Sequence, residues 1–237
     1  MNRFLIFENE KLCPNIYEVK DPSRLEHLKT ILKLGVGDML KVALVGQGIG
    51  KAYIKDLSGD SLTLLVESIE AKNQAPYDLI IGLSRPPTIK KILEHATTLG
   101  VGSFDFFKAD LSEKSYLDSK IFEQEKLEKY LCCGISQAAI YHQLPKVELH
   151  QKILNDWKNR EQKFILSPGS TRTFLDVQLD FSKRITLAIG PERGWTTTEV
   201  ETFKQMGFIA IGISSAILRV ETATFSSLGQ LELLRTK

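Results

Sequence analysis

The chain has 237 residues, 43% of them hydrophobic and 25% charged, which is enough for one large domain or two smaller ones, each with its own core; two are expected. A formal net charge of +2 and a pI near 8.3 fall short of the strongly basic balance of a dedicated nucleic-acid binder, and the first 72 residues set ten Lys and Arg against ten Asp and Glu. No segment approaches the ~20 consecutive apolar residues that cross a bilayer, and the start MNRFLIFENE turns polar after a few residues, unlike a signal peptide. The expected setting is cytoplasmic, with no membrane partner.

In chain order, the short runs RFLIF, IYEV, MLKVALVG, KAYIKDL and SLTLLVES read as strands, separated by turn signals at Gly35 to Asp38, Gly46 to Gly50 and Ser58 to Asp60. Together they predict a small barrel or curled sheet. One helix interrupts it, from Pro22 to about Lys33, with Leu25, Leu28, Ile31 and Leu32 on one face and Pro22 where a missing amide hydrogen costs least. AKNQAPYD is polar, aperiodic and holds a proline, so it reads as a linker, dividing a domain of residues 1–72 from one of residues 73–237. Strands and helices then alternate: DLIIGLS; a helix over TIKKILEHATTLG with Ile89, Ile92, Leu93, Ala96 and Leu99 on one stripe; SFDFF; a helix across Leu127 to His142; KFILS; RITLAIG; a helix after Trp195; FIAIGIS; and a last helix to Leu234. This rhythm predicts an α/β domain with a mostly parallel sheet.

The stretch IGPERGWTTTEV, Ile189 to Val200, enters a helix directly from a strand, which places its loop at the carboxyl end of the sheet, where open α/β folds bind ligands. Gly190 and Gly194 permit close backbone approach and Pro191 stiffens the turn. Neither GK[ST] nor GxGxxG is present, which disfavours a phosphate cradle. Thr196 with Glu199 forms a capping-box pattern, so these threonines read as helix starters. About twenty residues on, AILRVETATFSSLGQL places Arg219, Glu221 and Thr222 between a strand and the final helix.

GPERG followed by ILRVETA resembles the two C-terminal signatures of the ribosomal RNA small subunit methyltransferase E family, in the SPOUT class. The likeness extends to His27-Leu28, Ile31-Leu32-Lys33 and Gly37-Asp38, similar to an HL…VLR…GD pattern, to Ala96 through Val101, similar to KATELGV, and to Ser112 through Ser115, similar to SERS. The resemblance implies a trefoil-knotted SPOUT domain with a PUA-like β-barrel domain before it, a homodimer, and methylation of a uridine at N3 in 16S ribosomal RNA or the assembled small subunit. It implies three loops around S-adenosyl-L-methionine as cofactor, Phe164 to Ser170, Ile189 to Gly194 and Gly212 to Arg219, with Leu166 and Ser167 of the first and Gly190, Pro191, Glu192 and Gly194 of the second holding it. The third loop and helix start supply Ile213, Ser214, Ser215, Ile217, Leu218, Thr222 and Ala223. Arg219 and Glu221 are the implied catalytic pair, and Arg24, His27, Lys29, Lys33, Arg85 and Lys114 the implied RNA contacts.

These residue types suit the chemistry. Methyl transfer needs alignment, and uracil N3 keeps its proton at neutral pH, so a base or a stabiliser of the developing anion is required. Arg219 has the planar fork for a uracil carbonyl or a phosphate, and Glu221 stands ready to orient it or take the proton. The alternatives are a structural Arg219–Glu221 ion pair, a solvated Glu192, and a non-catalytic RNA-binding or ribosome-assembly protein on the same fold. Departures from the family pattern fall at Gln137, Ala138 and Tyr141 in the middle helix, and at Arg193, Ser214 and Ala216. His95, His142 and His150 show no metal spacing and read as packing or surface residues, and Cys13, Cys132 and Cys133, with no CxxC, read as packing residues, so no metal is implied.

Overall fold

The computed structural model describes residues 2–71 and 74–236, so the expected junction between residues 72 and 73 lies outside the described residues. The chain divides into two compact units, Met1–Gln74 with Ile135–Leu144, and Ala75–Gly134 with Pro145–Lys237.

The first unit is a curled six-stranded sheet of β1 (Phe4–Ile6), β2 (Lys11–Cys13), β3 (Ile16–Val19), β4 (Met39–Leu44), β5 (Gly48–Ser58) and β6 (Ser61–Glu70). Its order is β1-β4-β5-β6-β3-β2, parallel at β1–β4 and antiparallel elsewhere. Alternate residues bury one face: Leu40, Val42 and Leu44, then Ala52 and Ile54, then Leu62, Leu64 and Val66, against Tyr17 and Val19. Helix α1 (Pro22–His27) lays Leu25 on this core; Asp21 caps it by accepting from the Arg24 amide at 2.8 Å. The expected single helix holds only to His27. A π turn carries Leu28–Leu32, and Lys33 ends it in the left-handed region at φ 54°. β2 escaped the sequence reading because all three of its residues are exposed and carry no apolar alternation.

Residues 135–144 join this unit through defined hydrogen bonds. The Arg3 amide donates to Ser136 O at 2.7 Å and its guanidinium to Ala139 O, while the Gly46 amide donates to His142 O at 2.9 Å. Helix α3 (Gln124–Gln137) accordingly stops five residues before the expected His142. The carbonyls beyond it have other donors, and Pro145 disfavours helical geometry at Leu144. Ala138 and Tyr141 are buried there in irregular chain, not displayed on a helix.

The second unit is an α/β domain whose sheet runs β12-β10-β11-β7-β8-β9, with every neighbouring pair parallel. The strands are β7 (Tyr77–Gly82), β8 (Ser103–Phe107), β9 (Lys146–His150), β10 (Gln162–Leu166), β11 (Ile185–Ile189) and β12 (Ile209–Ile211). β7 and β11 are buried along their whole length, as strands covered on both faces must be. Helices α2 (Pro86–Thr98), α4 (Thr197–Gln205) and α5 (Val220–Arg235) stand where the alternation places them, and α2 buries Ile89, Ile92, Leu93 and Ala96. β9, KVELH, was not anticipated because its charged residues mask the β pattern.

Near the start of β7 the buried Asp78 carboxylate accepts from Arg184 at 2.5 and 2.6 Å and from Ser103 Oγ at 2.6 Å. Arg160 bridges Asp78 to Asp105, which in turn meets His150 Nε2 at 2.8 Å. A paired and hydrogen-bonded carboxylate can be buried where a bare one cannot. This network fastens β7, β8 and β9 to one another, from Asp78 near the start of β7 to His150 at the end of β9.

Candidate functional site

Because the sheet is parallel, the loops leaving β7, β10, β11 and β12 emerge at one end. After β11 the chain turns tightly: Gly194 takes φ 73° and its amide donates to Pro191 O at 2.8 Å. Pro191 lies so close to Gly82, at the end of β7, that a Cβ there would sit 2.6 Å from Pro191 Cδ. Trp195 stacks on Phe107 with ring centroids 5.9 Å apart, and its Nε1 donates to Leu166 O at 3.2 Å, tying the loop after β11 to the loop after β10.

The capping box is present: Thr196 Oγ1 accepts from the Glu199 amide at 3.2 Å, and Glu199 Oε2 accepts from the Thr196 amide at 2.8 Å. Glu199 is itself buried and also accepts from the Asp110 amide at 2.9 Å. Thr196 thus serves the helix start.

The loop after β12 closes against the loop after β10. Ser167 N donates to Ile211 O at 3.0 Å, Gly212 N to Arg172 O at 2.8 Å, and Ser170 Oγ to Ala210 O at 3.2 Å. A Cβ on Gly212 would stand 2.3 Å from Ser170 O, so only glycine lets the two backbones pass. Between the loops is a small pocket lined by Leu166, Ser167, Pro168, Ile211, Ile213, Ser214, Ala216, Leu218 and Ala223. It unites six of the expected cofactor residues: Leu166, Ser167, Ile213, Ser214, Leu218 and Ala223. Pro168 and Ala216 lie within the expected cofactor loops without having been singled out, and Ile211 lies just before the third. Gly190, Pro191, Glu192, Gly194, Ser215, Ile217 and Thr222 do not line it, and Ile217 is 88% exposed.

A larger cavity of about 580 Å³ shares Ile213 and Ser214 with this pocket and is lined also by Phe174, Leu175, Gln230, Leu233 and Leu234. None of its apolar residues Phe174, Leu175, Leu233 and Leu234 belongs to the expected site. Its signal in the sequence is the pair of adjacent apolar dipeptides, Phe174-Leu175 and Leu233-Leu234, in otherwise polar surroundings.

Arg219 is the N-cap residue of α5, exposed, and makes no side-chain hydrogen bond or ion pair among the described residues. The alternative of an Arg219–Glu221 ion pair is therefore corrected: Glu221, with a side chain only 15% exposed, instead meets Lys91 Nζ of α2 at 3.5 Å. Lys91 was not anticipated, because nothing in TIKKIL marks which lysine faces the last helix. Glu192 accepts from the Arg85 amide at 2.9 Å and from its Nε at 3.4 Å, so it orients a loop amide and is not a lone solvated carboxylate.

Among the expected RNA contacts, Arg24 is not a free cation. Its guanidinium donates to both Glu10 oxygens at 2.5 and 3.1 Å and to Leu5 O, and lies over Phe7. Lys29 Nζ donates to Gly59 O at 2.8 Å. His27 closes α1 and Lys33 follows the π turn. Lys114 is exposed in a short 3-10 turn, Lys114–Tyr116, and Arg85 is exposed before α2. Ligand atoms of Asp105, Glu148 and His150 lie within 4.8 Å of one another, a grouping the histidine spacing concealed, with Arg160 and Lys146 already paired to its carboxylates. Cys13 and Cys133 are exposed, so they are not packing residues.

The RNA methyltransferase domain family matches residues 71–232. A ribosomal RNA small subunit methyltransferase E from Treponema pallidum is 33% identical over 233 residues, covering 92% of this chain and 86% of that protein. The chain belongs to the ribosomal RNA small subunit methyltransferase E family. A second member, methyltransferase E 1 of Borreliella burgdorferi, is 31% identical, covering 86% of this chain and 87% of its own. The solved methyltransferase E from Neisseria gonorrhoeae, bound to S-adenosyl methionine, shares the fold at a TM-score of 0.79 and 20% identity, covering 99% of this chain and 98% of its own. A Legionella pneumophila methyltransferase solved with the same cofactor gives 0.76 at 19%, covering 99% and 98%. The family match spans β7 to β12 and most of α5, so the loop cluster lies wholly within the methyltransferase domain. No helix is long and apolar enough to cross a membrane among the described residues.

Proposed function

We propose that the protein transfers a methyl group from S-adenosyl-L-methionine to ring nitrogen N3 of a uridine in 16S ribosomal RNA of the small subunit. The observation that carries this reading is the meeting of the loops after β10 and β12 on one small apolar slot, to which Trp195 ties the turn after β11, with an arginine unpaired among the described residues and a carboxylate two residues on at the start of α5. The lining of the slot suits part of the cofactor: with about 50 Å³ open it has to widen on binding, and Leu166, Pro168, Ile211, Leu218 and Ala223 are apolar residues of the kind that flank a flat heterocycle, with Ser167 and Ser214 among them. When bound, the cofactor supplies a methyl group on a sulfonium, ready for in-line displacement.

The chain's own groups position the other reactant. Arg219, without a side-chain partner among the described residues, presents its planar fork to a uracil carbonyl or flanking phosphate. Glu221, held by Lys91, takes the N3 proton. Glu192 fixes the Arg85 amide and so sets the loop before α2 against the turn after β11. Catalysis on this account is alignment plus stabilisation of negative charge on the uracil.

The close passage of Gly212 past Ser170 supports a chain threaded through the loop after β10, as in a trefoil knot, an exception to the rule that chains are unknotted. The curled N-terminal sheet is read as the PUA-like domain, and a C2 homodimer as the working assembly. Calorimetry with the cofactor and its demethylated product tests the reading: binding of either supports it, and no binding at millimolar concentration ends it in favour of a non-catalytic RNA-binding protein.

A further inference from the structure

Across the first unit's sheet, the pairing register lines up Met39, Tyr53, Leu65, Ile16 and Cys13 in one row, each directly opposite the next. Their chain neighbours Leu40, Ala52, Ile54, Leu64, Val66 and Tyr17 fill the core, so the row faces outward. Met39 is 41% exposed and Tyr53 37%. Two residues along the same face, Lys41 and Lys51 stand directly opposite each other, both exposed, with Ser68 opposite Lys51.

Like charges in that position weaken an antiparallel pair. Neither lysine has an ion pair or side-chain hydrogen bond among the described residues; Glu67, bulged out beside Lys51, does not come within ion-pairing distance. Two uncompensated ammonium groups beside an exposed tyrosine in an apolar row make a surface that takes phosphates at one level and a stacked base at the next. A duplex keeps its bases stacked on each other and has no use for the tyrosine.

We propose that this face seats an unpaired stretch of the RNA substrate, with phosphates at Lys41 and Lys51 and a base on Tyr53. The proposal rests on the reading of RNA as substrate and names the surface that holds it. It also accounts for a balanced first unit: attraction comes from two local cations, while Arg24 is committed to Glu10.

The test is fluorescence anisotropy of the full chain with a labelled single-stranded oligoribonucleotide of roughly ten nucleotides, across a salt series. The K41Q/K51Q double variant is expected to bind more weakly and to flatten the slope of log affinity against log salt by about 1.4, at about 0.7 for each single-strand phosphate that is no longer neutralised. Tyr53→Ala is expected to lose roughly 5- to 150-fold in affinity, while Tyr53→Phe keeps it. Cofactor affinity by calorimetry should be unchanged in all three. In the wild-type chain, bound RNA should slow alkylation of Cys13, at the end of the row, and leave Cys133 untouched, a readout that needs no variant to fold. Unchanged affinity and slope in the variants, or equal alkylation of Cys13 with and without RNA, would overturn the proposal and leave the face to solvent or a protein partner. A wild-type chain that binds cofactor but no RNA would instead bring down the substrate reading itself, so the two failures are distinguishable.

Discussion

Gly82 ends β7 directly against the turn after β11, and replacing it with alanine tests whether that turn belongs to the cofactor site. The added carbon would lie 2.6 Å from Pro191 Cδ, 2.8 Å from Pro191 N and 3.3 Å from Ala109 Cβ. Carbon atoms rest at about 3.5–4.0 Å, so Pro191 must retreat by ~1 Å. A proline ring cannot rotate away as a long side chain would, and Pro191 is buried, so the movement has to come from the loop backbone. Overpacking of this kind costs ~1–3 kcal/mol. At about 2–4 °C per kcal/mol for a domain of this size, Tm should fall by ~2–12 °C. The same displacement carries Gly190, Glu192 and Trp195, and through Trp195 Nε1 it pulls on Leu166 O at the pocket wall. Cofactor affinity should therefore drop, by about tenfold for each 1.4 kcal/mol of strain relieved when the loop is released from the bound geometry. Thermal melting and calorimetry on one preparation measure both effects. A lowered Tm with unaltered affinity would detach this turn from the cofactor site, and no change in either would show that the close approach at Gly82 is slack.

Other substitutions separate chemistry from scaffolding. Arg219→Lys keeps the charge and loses the fork, so single-turnover methylation should fall more than ~10-fold, a loss above ~1.4 kcal/mol of transition-state stabilisation, with cofactor affinity within a few-fold; full activity in a well-folded variant would remove Arg219 from the mechanism. Glu192→Ala leaves the Arg85 amide without its acceptor, and hydrogen exchange at that amide should quicken roughly 2- to 10-fold, matching a hydrogen bond of about 0.5–1.5 kcal/mol; an unchanged rate would mean the contact is not kept in solution. Asp78→Asn should cost ~2 kcal/mol in chemical denaturation, below the ~3–5 kcal/mol of a fully enclosed pair because the Arg184 side chain is 43% exposed, while methylation per folded molecule stays intact. A loss of activity out of proportion to unfolding would show that the network reaches the loops.

The alternation of apolar strands and striped helices after residue 75 was legible because each segment carries its own period: Ile89, Ile92, Leu93 and Ala96 need no partner to announce a helix face. The Thr196–Glu199 cap was legible for the same reason, since the signal spans four residues. What depends on distant pairing was not. Nothing local shows that Arg3 would take carbonyls from Ser136 and Ala139 and cut the middle helix short, or that Lys91 would turn toward Glu221. Arg24 has the look of a basic patch in the sequence, and only the fold brings Glu10, fourteen residues earlier, around to hold it. Lys41 and Lys51 are unremarkable in the sequence and become a pair only through the β4–β5 register. In the loops, backbone passage was written in glycines such as Gly212, while the pocket walls at Pro168 and Ile211 carried no signature beyond being apolar.

Methyl transfer to a uridine of the small-subunit RNA is open to direct measurement by mass spectrometry of that RNA. Small-subunit RNA from a strain lacking the protein, digested to nucleosides and fragments, should lack one N3-methylated uridine, and incubation with purified protein and S-adenosyl-L-methionine should restore it at a single site. RNA that is fully methylated without the protein, or that gains no methyl group when protein and cofactor are added to both naked RNA and whole subunits, would contradict the account.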